Sequence, residues 1–284
     1  MGSLSEQQIN HFNENGYVVV PKVLEPTQIE RYLTRASAIA NGAHPEEATT
    51  RLVKDIEFAK KRRPMPDDPE HALWKIMNPD RFDEVMAECM RFPKVLDAVS
   101  SLIGDDLIAF LLMFIYKPPG VANSYHPFHQ DAAYFTFGPQ KRCVGVWIPL
   151  DPVSEANGTL CVVPGSHRLD VAQLEFKDDV NFGALASAGA EENDEFHEKS
   201  VSLALDPGDC VLFSTHLLHR TGGNTTQGHR RVVTLHMADA HCKHEGQHFG
   251  EFGFTSVRGD VFDGCLKPVE APSIAFNNEL VGEH

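Results

Sequence analysis

Apolar positions recur at helical spacing through much of the first hundred residues and at strand spacing after that. Ser5-Glu6-Gln7-Gln8 has the form of a capping box, Ile9 and Phe12 share one helical face, and Gly16 is placed to end the helix. Tyr17 to Val20 is aromatic and β-branched and predicts a strand. After Pro21, the series Ile29, Leu33, Ala36, Ala40 predicts a second long helix that stops at Asn41-Gly42. Pro93 sits at a helix start, Val95, Val99 and Leu102 form one apolar stripe, and Gly104 closes it.

From Leu107 the pattern changes. Leu107–Tyr116, Val144–Leu150, Thr159–Val163, Cys210–Phe213 and Val232–Met237 are short apolar runs separated by Pro, Gly and Asn turns, the signature of antiparallel strands. Helices followed by many short strands predict an α+β chain, mainly β, whose strands form a jelly roll with the early helices packed outside it. The expected organisation is a single domain over residues 1–284, with 1–105 as mostly helical support and 106–245 as the jelly-roll core. An aperiodic excursion, either a lid or a loop, is expected at 178–198, and an irregular tail at 246–284.

Composition narrows the function. Of 284 residues, 25 are Lys or Arg and 40 are Asp or Glu, a formal charge of −15, so the surface repels phosphate backbones and nucleic acid is an unfavourable partner. No run of about 18 apolar residues occurs, and Met1 to His11 has no signal-peptide character, so no membrane association and a cytoplasmic location are expected. The six cysteines are scattered singly, as befits reduced thiols. Fifteen histidines draw attention to metal chemistry.

The segment Tyr125-His126-Pro127-Phe128-His129-Gln130-Asp131 places an imidazole and a carboxylate two residues apart. On an extended strand i and i+2 face one side, so His129 and Asp131 can reach one metal ion, while the same alternation sends His126 to the opposite face. A third ligand has to come from another strand, and Phe213 to Asn224, with His216 and His219, is the candidate segment. Two histidines and one carboxylate leave three positions of an octahedral metal open, the arrangement of non-haem Fe(II) oxygenases. An HxD triplet by itself is equally a polar pair on an ordinary strand.

The blocks Tyr116-Lys117-Pro118-Pro119-Gly120, His126 to Asp131, Gly158 to His167, His219 to Asn224 and Arg230 together resemble the phytanoyl-CoA dioxygenase family, in order and spacing, over roughly residues 5 to 245. The resemblance implies a double-stranded β-helix of cupin type, with Fe(II), 2-oxoglutarate and O2 as cofactor and cosubstrates and ascorbate as a supporting reductant. It implies that His129, Asp131 and His219 hold the iron and are the catalytic residues, and that Arg230, eleven positions after the distal histidine, binds the far carboxylate of 2-oxoglutarate. A guanidinium suits that task because it offers two parallel donors. Family positions also fall on Lys75, Met113, Gln130, Trp147 and Thr221 as lining of the cosubstrate pocket. In any β protein Met113 and Trp147 would be core and Lys75 a surface lysine. His236 shares strand parity with Arg230; it reads either as a core histidine or as a group touching substrate or a water.

The activity implied is hydroxylation of an unactivated C–H of a small molecule, coupled to conversion of 2-oxoglutarate to succinate and CO2. Asp131 is intact, which argues against halogenation; desaturation and rearrangement remain alternatives within the class. The substrate could be a CoA thioester or another anionic metabolite, and Lys60-Lys61-Arg62-Arg63 is either a phosphate site for it or a solvated helix end. A non-catalytic jelly-roll binding module and a zinc hydrolase are the competing classes. Oligomeric state is not written in the sequence.

Overall fold

The computed structural model describes residues 3–134, 137–138, 142–176, 181, 185–244 and 254–259. The helices are α1 (Glu6–Asn15), α2 (Pro26–Ala40), α3 (Ile56–Ala59), α4 (Glu84–Ala87), α5 (Pro93–Ile103) and α6 (Asp194–Lys199). Their ends follow the residues that the sequence offers. Ser5 Oγ accepts from the Gln8 backbone and Gln8 Oε1 accepts from the Ser5 backbone, a reciprocal cap worth about 1 kcal/mol, and Gly16 leaves α1 at φ 83°.

The strands are β1 (Tyr17–Val20), β2 (Leu52–Lys54), β3 (Leu73–Met77), β4 (Leu107–Lys117), β5 (His126–His129), β6 (Phe137–Gly138), β7 (Cys143–Pro149) and β8 (Leu160–Val162). They continue with β9 (Leu174–Phe176), β10 (Leu185–Ser187), β11 (Val201–Ser202), β12 (Cys210–Ser214), β13 (His219–Thr221), β14 (Arg230–Asp239), β15 (Lys243–His244) and β16 (Thr255–Arg258). The major sheet has the order β1-β12-β7-β14-β4-β3-β2, with β16 also paired to β4. The minor sheet has the order β11-β8-β13-β5. Together they form the double-stranded β-helix; β6 with β15 and β9 with β10 are short accessory ladders.

Alternation along each major-sheet strand separates two cores. Outward positions such as Leu112 and Phe114 on β4, Val144 and Val146 on β7, and Val233 and Leu235 on β14 pack with Ile39 of α2 and Val99 of α5. Each such fully buried large side chain stabilises the fold by roughly 1.5–3 kcal/mol. Inward positions face the minor sheet, where Trp147, Val211, Phe213 and Val232 meet Leu160 and Val162.

The fold departs from the sequence reading in three places. The first hundred residues are less purely helical than expected, because besides β1, the strand expected at Tyr17–Val20, β2 and β3 extend the major sheet at its other edge. Ser187 and its neighbours in β10, and α6, give regular structure to part of the 178–198 excursion, whose residues 178–180 and 182–184 lie outside the described residues. Thr255–Arg258, expected to be irregular, is a strand because Leu107–Ala109 of β4 offers an edge that β3 does not reach. The remainder of 246–284 lies outside the described residues. Among the described residues no helix is long and apolar enough to cross a membrane, and the described cysteines, Cys89, Cys143, Cys161, Cys210 and Cys242, are buried.

Candidate metal centre

His129 ends β5 and His219 begins β13, and the two are paired residues of one antiparallel ladder. Directly opposed residues present their side chains to the same face, which brings the rings to 4.1 Å between centroids. Asp131 is not on the strand, as the sequence reading had it, but opens the 3-10 turn Asp131–Ala133. Gln130 keeps extended dihedrals, so the i, i+2 relation to His129 survives the end of the ladder. The ligand atoms of His129, Asp131 and His219 all lie within 4.8 Å of one another, and all three residues are buried. Asp131 Oδ1 is 3.5 Å from His129 Nε2 and 3.8 Å from His219 Nε2.

The ring tautomers follow from their partners. His129 Nδ1 donates to the Pro127 carbonyl at 2.9 Å, and His219 Nδ1 donates to the Leu217 carbonyl at 2.9 Å. A carbonyl can only accept, so each Nδ1 carries a proton, and each Nε2 is turned toward Asp131. Burial, reinforced by His219, pushes His129 down to about 3 and keeps it neutral. Burial alone would raise the Asp131 carboxyl, but His219 and His236, the latter also hydrogen-bonded to it, hold it below the usual carboxylate range. Two imidazoles and an ionised carboxylate, converging and already desolvated, are the donor set that a divalent non-haem iron takes.

Arg230 begins β14 and points inward, 1% exposed, with its guanidinium carbon 5.8 Å from the Trp147 ring centre. Among the described residues its Nε and Nη1 have no hydrogen-bond partner. The contrast with its neighbour is informative. Arg231 faces outward and is held by both oxygens of Asp151 at 2.8 Å and by Glu70 at 3.3 Å. Burial pushes Arg230 down to about 9, with Asp151 opposing that only in part. A buried guanidinium with idle donors fits an incoming carboxylate.

Strand register arranges the other sequence candidates around it. Met113, Thr234 and Trp147 form one inward row across β4, β14 and β7, and Lys75 lies opposite Ile115, two residues along β4 from Met113. Lys75 is half-buried, with Nζ 4.0 Å from the Trp74 ring centre, and burial, only partly offset by Asp131, lowers it to about 8. Thr221 follows His219 at strand parity on β13. Gln130 is the exception. Its Nε2 donates to the His216 carbonyl at 2.9 Å and its Oε1 accepts from the Ala172 backbone at 3.0 Å, so its side chain ties two loops together instead of lining the pocket. Alternation explains this, since it lies between His129 and Asp131.

Several neighbours escaped the sequence reading. His126 was expected on the far face, yet its ring lies 4.2 Å from that of His129. The ladder shifts register between His219 and Thr221, which pair with His129 and His126; the extra residue on β5 is a bulge that returns His126 to the metal side. Thr234 has a buried hydroxyl without a partner among the described residues. Lys117, buried and paired in register with Arg230, donates its ammonium to the Ser124 carbonyl. His236 Nε2 donates to Asp131 Oδ2 at 2.8 Å; its strand parity with Arg230 was the available signal. His216 contributes its carbonyl to Gln130 and is not one of the converging ligands.

The family model described as Phytanoyl-CoA dioxygenase (PhyH) matches residues 12–232. The chain is 31% identical over 241 residues to a probable phytanoyl-CoA dioxygenase of Caenorhabditis elegans, covering 83% of this chain and 76% of that one. It is 29% identical over 244 residues to the peroxisomal phytanoyl-CoA dioxygenase of Homo sapiens, covering 84% and 70%. Among solved structures, EctD from S. alaskensis with 2-oxoglutarate and 5-hydroxyectoine superposes with a TM-score of 0.66 at 21% identity, covering 85% of this chain and 78% of that one. The epimerase SnoN with Fe3+, alpha-ketoglutarate and nogalamycin RO gives a TM-score of 0.66 at 20% identity, covering 94% and 93%; both likenesses are of fold.

Proposed function

The chain belongs to the phytanoyl-CoA dioxygenase family, and on that premise we propose that this Fe(II)- and 2-oxoglutarate-dependent oxygenase hydroxylates an unactivated C–H of a small anionic molecule. The observation that carries the reading is Arg230, a buried cation with two idle donors on the inner wall of the sheet whose opposite number holds the triad.

His129, Asp131 and His219 would hold the iron through Nε2, Oδ1 and Nε2. Arg230 would take the far carboxylate of 2-oxoglutarate, with Thr234 and Thr221 offering hydroxyls and Met113 and Trp147 an apolar wall. Lys75 would add a second positive charge from β3. When bound, iron and cosubstrate supply the oxidising chemistry; the protein orients the reactants and excludes water. The wall is suited to that exclusion because Trp147, Phe213 and Val232 are buried against the minor sheet.

The names of the relatives favour a CoA thioester among anionic substrates. The basic run lends this little support. Arg62 Nη1 lies 3.2 Å from a Glu57 oxygen, and Arg63 lies 3.9 Å from the other and donates to the Gly120 carbonyl at 2.9 Å, so both arginines are tied to the protein itself.

Anaerobic titration of the apo-protein with Fe(II) and then 2-oxoglutarate tests the reading. A weak visible charge-transfer band is expected in wild type and absent in His219→Ala; a wild type without the band overturns the oxygenase assignment and favours a binding module. Substrate candidates are then ranked by the succinate they release.

A further inference from the structure

Resting on that reading, we infer that His236 is a positioning residue that keeps Asp131 a one-oxygen ligand and so preserves the position that O2 needs beside 2-oxoglutarate. A free carboxylate can bind a metal through one oxygen or both. Through one, the triad occupies three of six octahedral positions; through both, it occupies four, and a cosubstrate that chelates through two atoms would fill the two that are left, with none for O2. In this protein the two oxygens of Asp131 are already distinguished. Oδ1 faces the Nε2 atoms of His129 and His219 at 3.5 and 3.8 Å, while Oδ2 accepts a 2.8 Å hydrogen bond from His236 Nε2. All four residues are buried, where a hydrogen bond to a carboxylate is stronger than in water.

The backbone is bent to hold this imidazole. Thr234 pairs with Met113 on β4, and a regular ladder would next bring His236 opposite Leu111. The register instead shifts, and His236 pairs with Phe110. The extra residue is taken up at Leu111, which adopts φ 51°, a left-handed conformation that costs a non-glycine residue about 1–2 kcal/mol. The result is a Phe110 ring stacked on His236, 5.7 Å between centroids and 29° between planes, fixing the plane from which Nε2 donates. On β7 the residue opposite His236 is Gly145, so the imidazole meets no bulky side chain from that strand.

The test compares wild type with His236→Gln and His236→Leu, each titrated anaerobically with Fe(II), then with 2-oxoglutarate, then with nitric oxide, a stand-in for O2 whose iron complex is read by electron paramagnetic resonance. The Leu variant is expected to retain Fe(II) and the chelate band but to bind nitric oxide about tenfold or more weakly. The Gln variant, whose amide can donate to the same oxygen, is expected to restore nitric oxide binding. A Leu variant that binds nitric oxide as wild type does overturns the inference, as does equal loss in Leu and Gln; a wild type without the chelate band overturns the oxygenase reading instead. Should His236→Leu fail to fold, nitrogen NMR of labelled wild type loaded with diamagnetic Zn(II) decides: a proton on His236 Nε2 supports the role, and its absence refutes it.

Discussion

His129 and His219 stand directly opposite each other on β5 and β13, with ring centroids 4.1 Å apart and each Nδ1 tied to the carbonyl two residues before it. Because those ties lie within each residue's own turn of chain, both Nε2 atoms are oriented before any metal arrives. His219→Ala is therefore expected to abolish Fe(II) binding while leaving the minor sheet folded. Anaerobic metal titration beside a far-ultraviolet circular dichroism spectrum checks both halves; retained iron stoichiometry would remove His219 from the ligand set.

Arg230 sets stability against function. Replacing a buried, unpaired cation by a hydrophobic side chain of similar length is often stabilising, by about 1–4 kcal/mol. Arg230→Met is expected to raise the melting temperature of the apo-protein and to weaken 2-oxoglutarate binding by roughly 2–5 kcal/mol, the cost of removing one partner of a buried charge pair. Thermal melts with and without 2-oxoglutarate measure both effects. A variant less stable than wild type in the absence of cosubstrate would show that the guanidinium is already satisfied.

Lys75 gives the site a pH dependence of known sign. Its folded value of about 8 lies below the ordinary lysine value, so between the two the unfolded chain binds more protons and apo-protein stability rises with pH. Cosubstrate affinity is expected to move the other way, constant below pH 8 and weakening above it as Lys75 loses its charge. Binding isotherms from pH 7 to 9.5, with Lys75→Met flat over that range, check this; a slope unchanged in the variant would place the titration elsewhere.

Legibility followed how local each determinant is. Helix starts at Ser5 and Pro93 and stops at Gly16 and Gly104 depend on neighbouring residues, and the sequence specifies them closely. His129 and Asp131 were readable because two residues of extended chain suffice to align them. His126 was misread because its face depends on a bulge, and a bulge exists only relative to a partner strand that the sequence does not identify. Strands β2 and β3 are short and lie among turns, so their membership of the sheet comes from the edge that β4 offers. Gln130 was carried over with its motif, although strand alternation already set it apart from both neighbours.

Gly145 leaves space for a ring. A Cβ there would run into the Phe213 ring, which itself lies 4.8 Å from the His219 ring. Gly145→Ala is expected to cost about 1–3 kcal/mol by overpacking and to weaken Fe(II) binding by pressing Phe213 toward the ligand. Denaturant melts and metal titration measure the two; a variant with unchanged iron affinity would show that Phe213 relaxes away from the site.

Tyr17–Val20 pairs along β12 from Phe213 to Cys210, and it is the outermost strand on that side of the major sheet. Four residues near the start of the chain thus act as a selvedge for a sheet woven from much later sequence. Without them, β12 would present a ladder of bare amides and carbonyls beside an apolar face, an invitation for another chain to zip on. Solubility, more than chemistry, is what this strip protects.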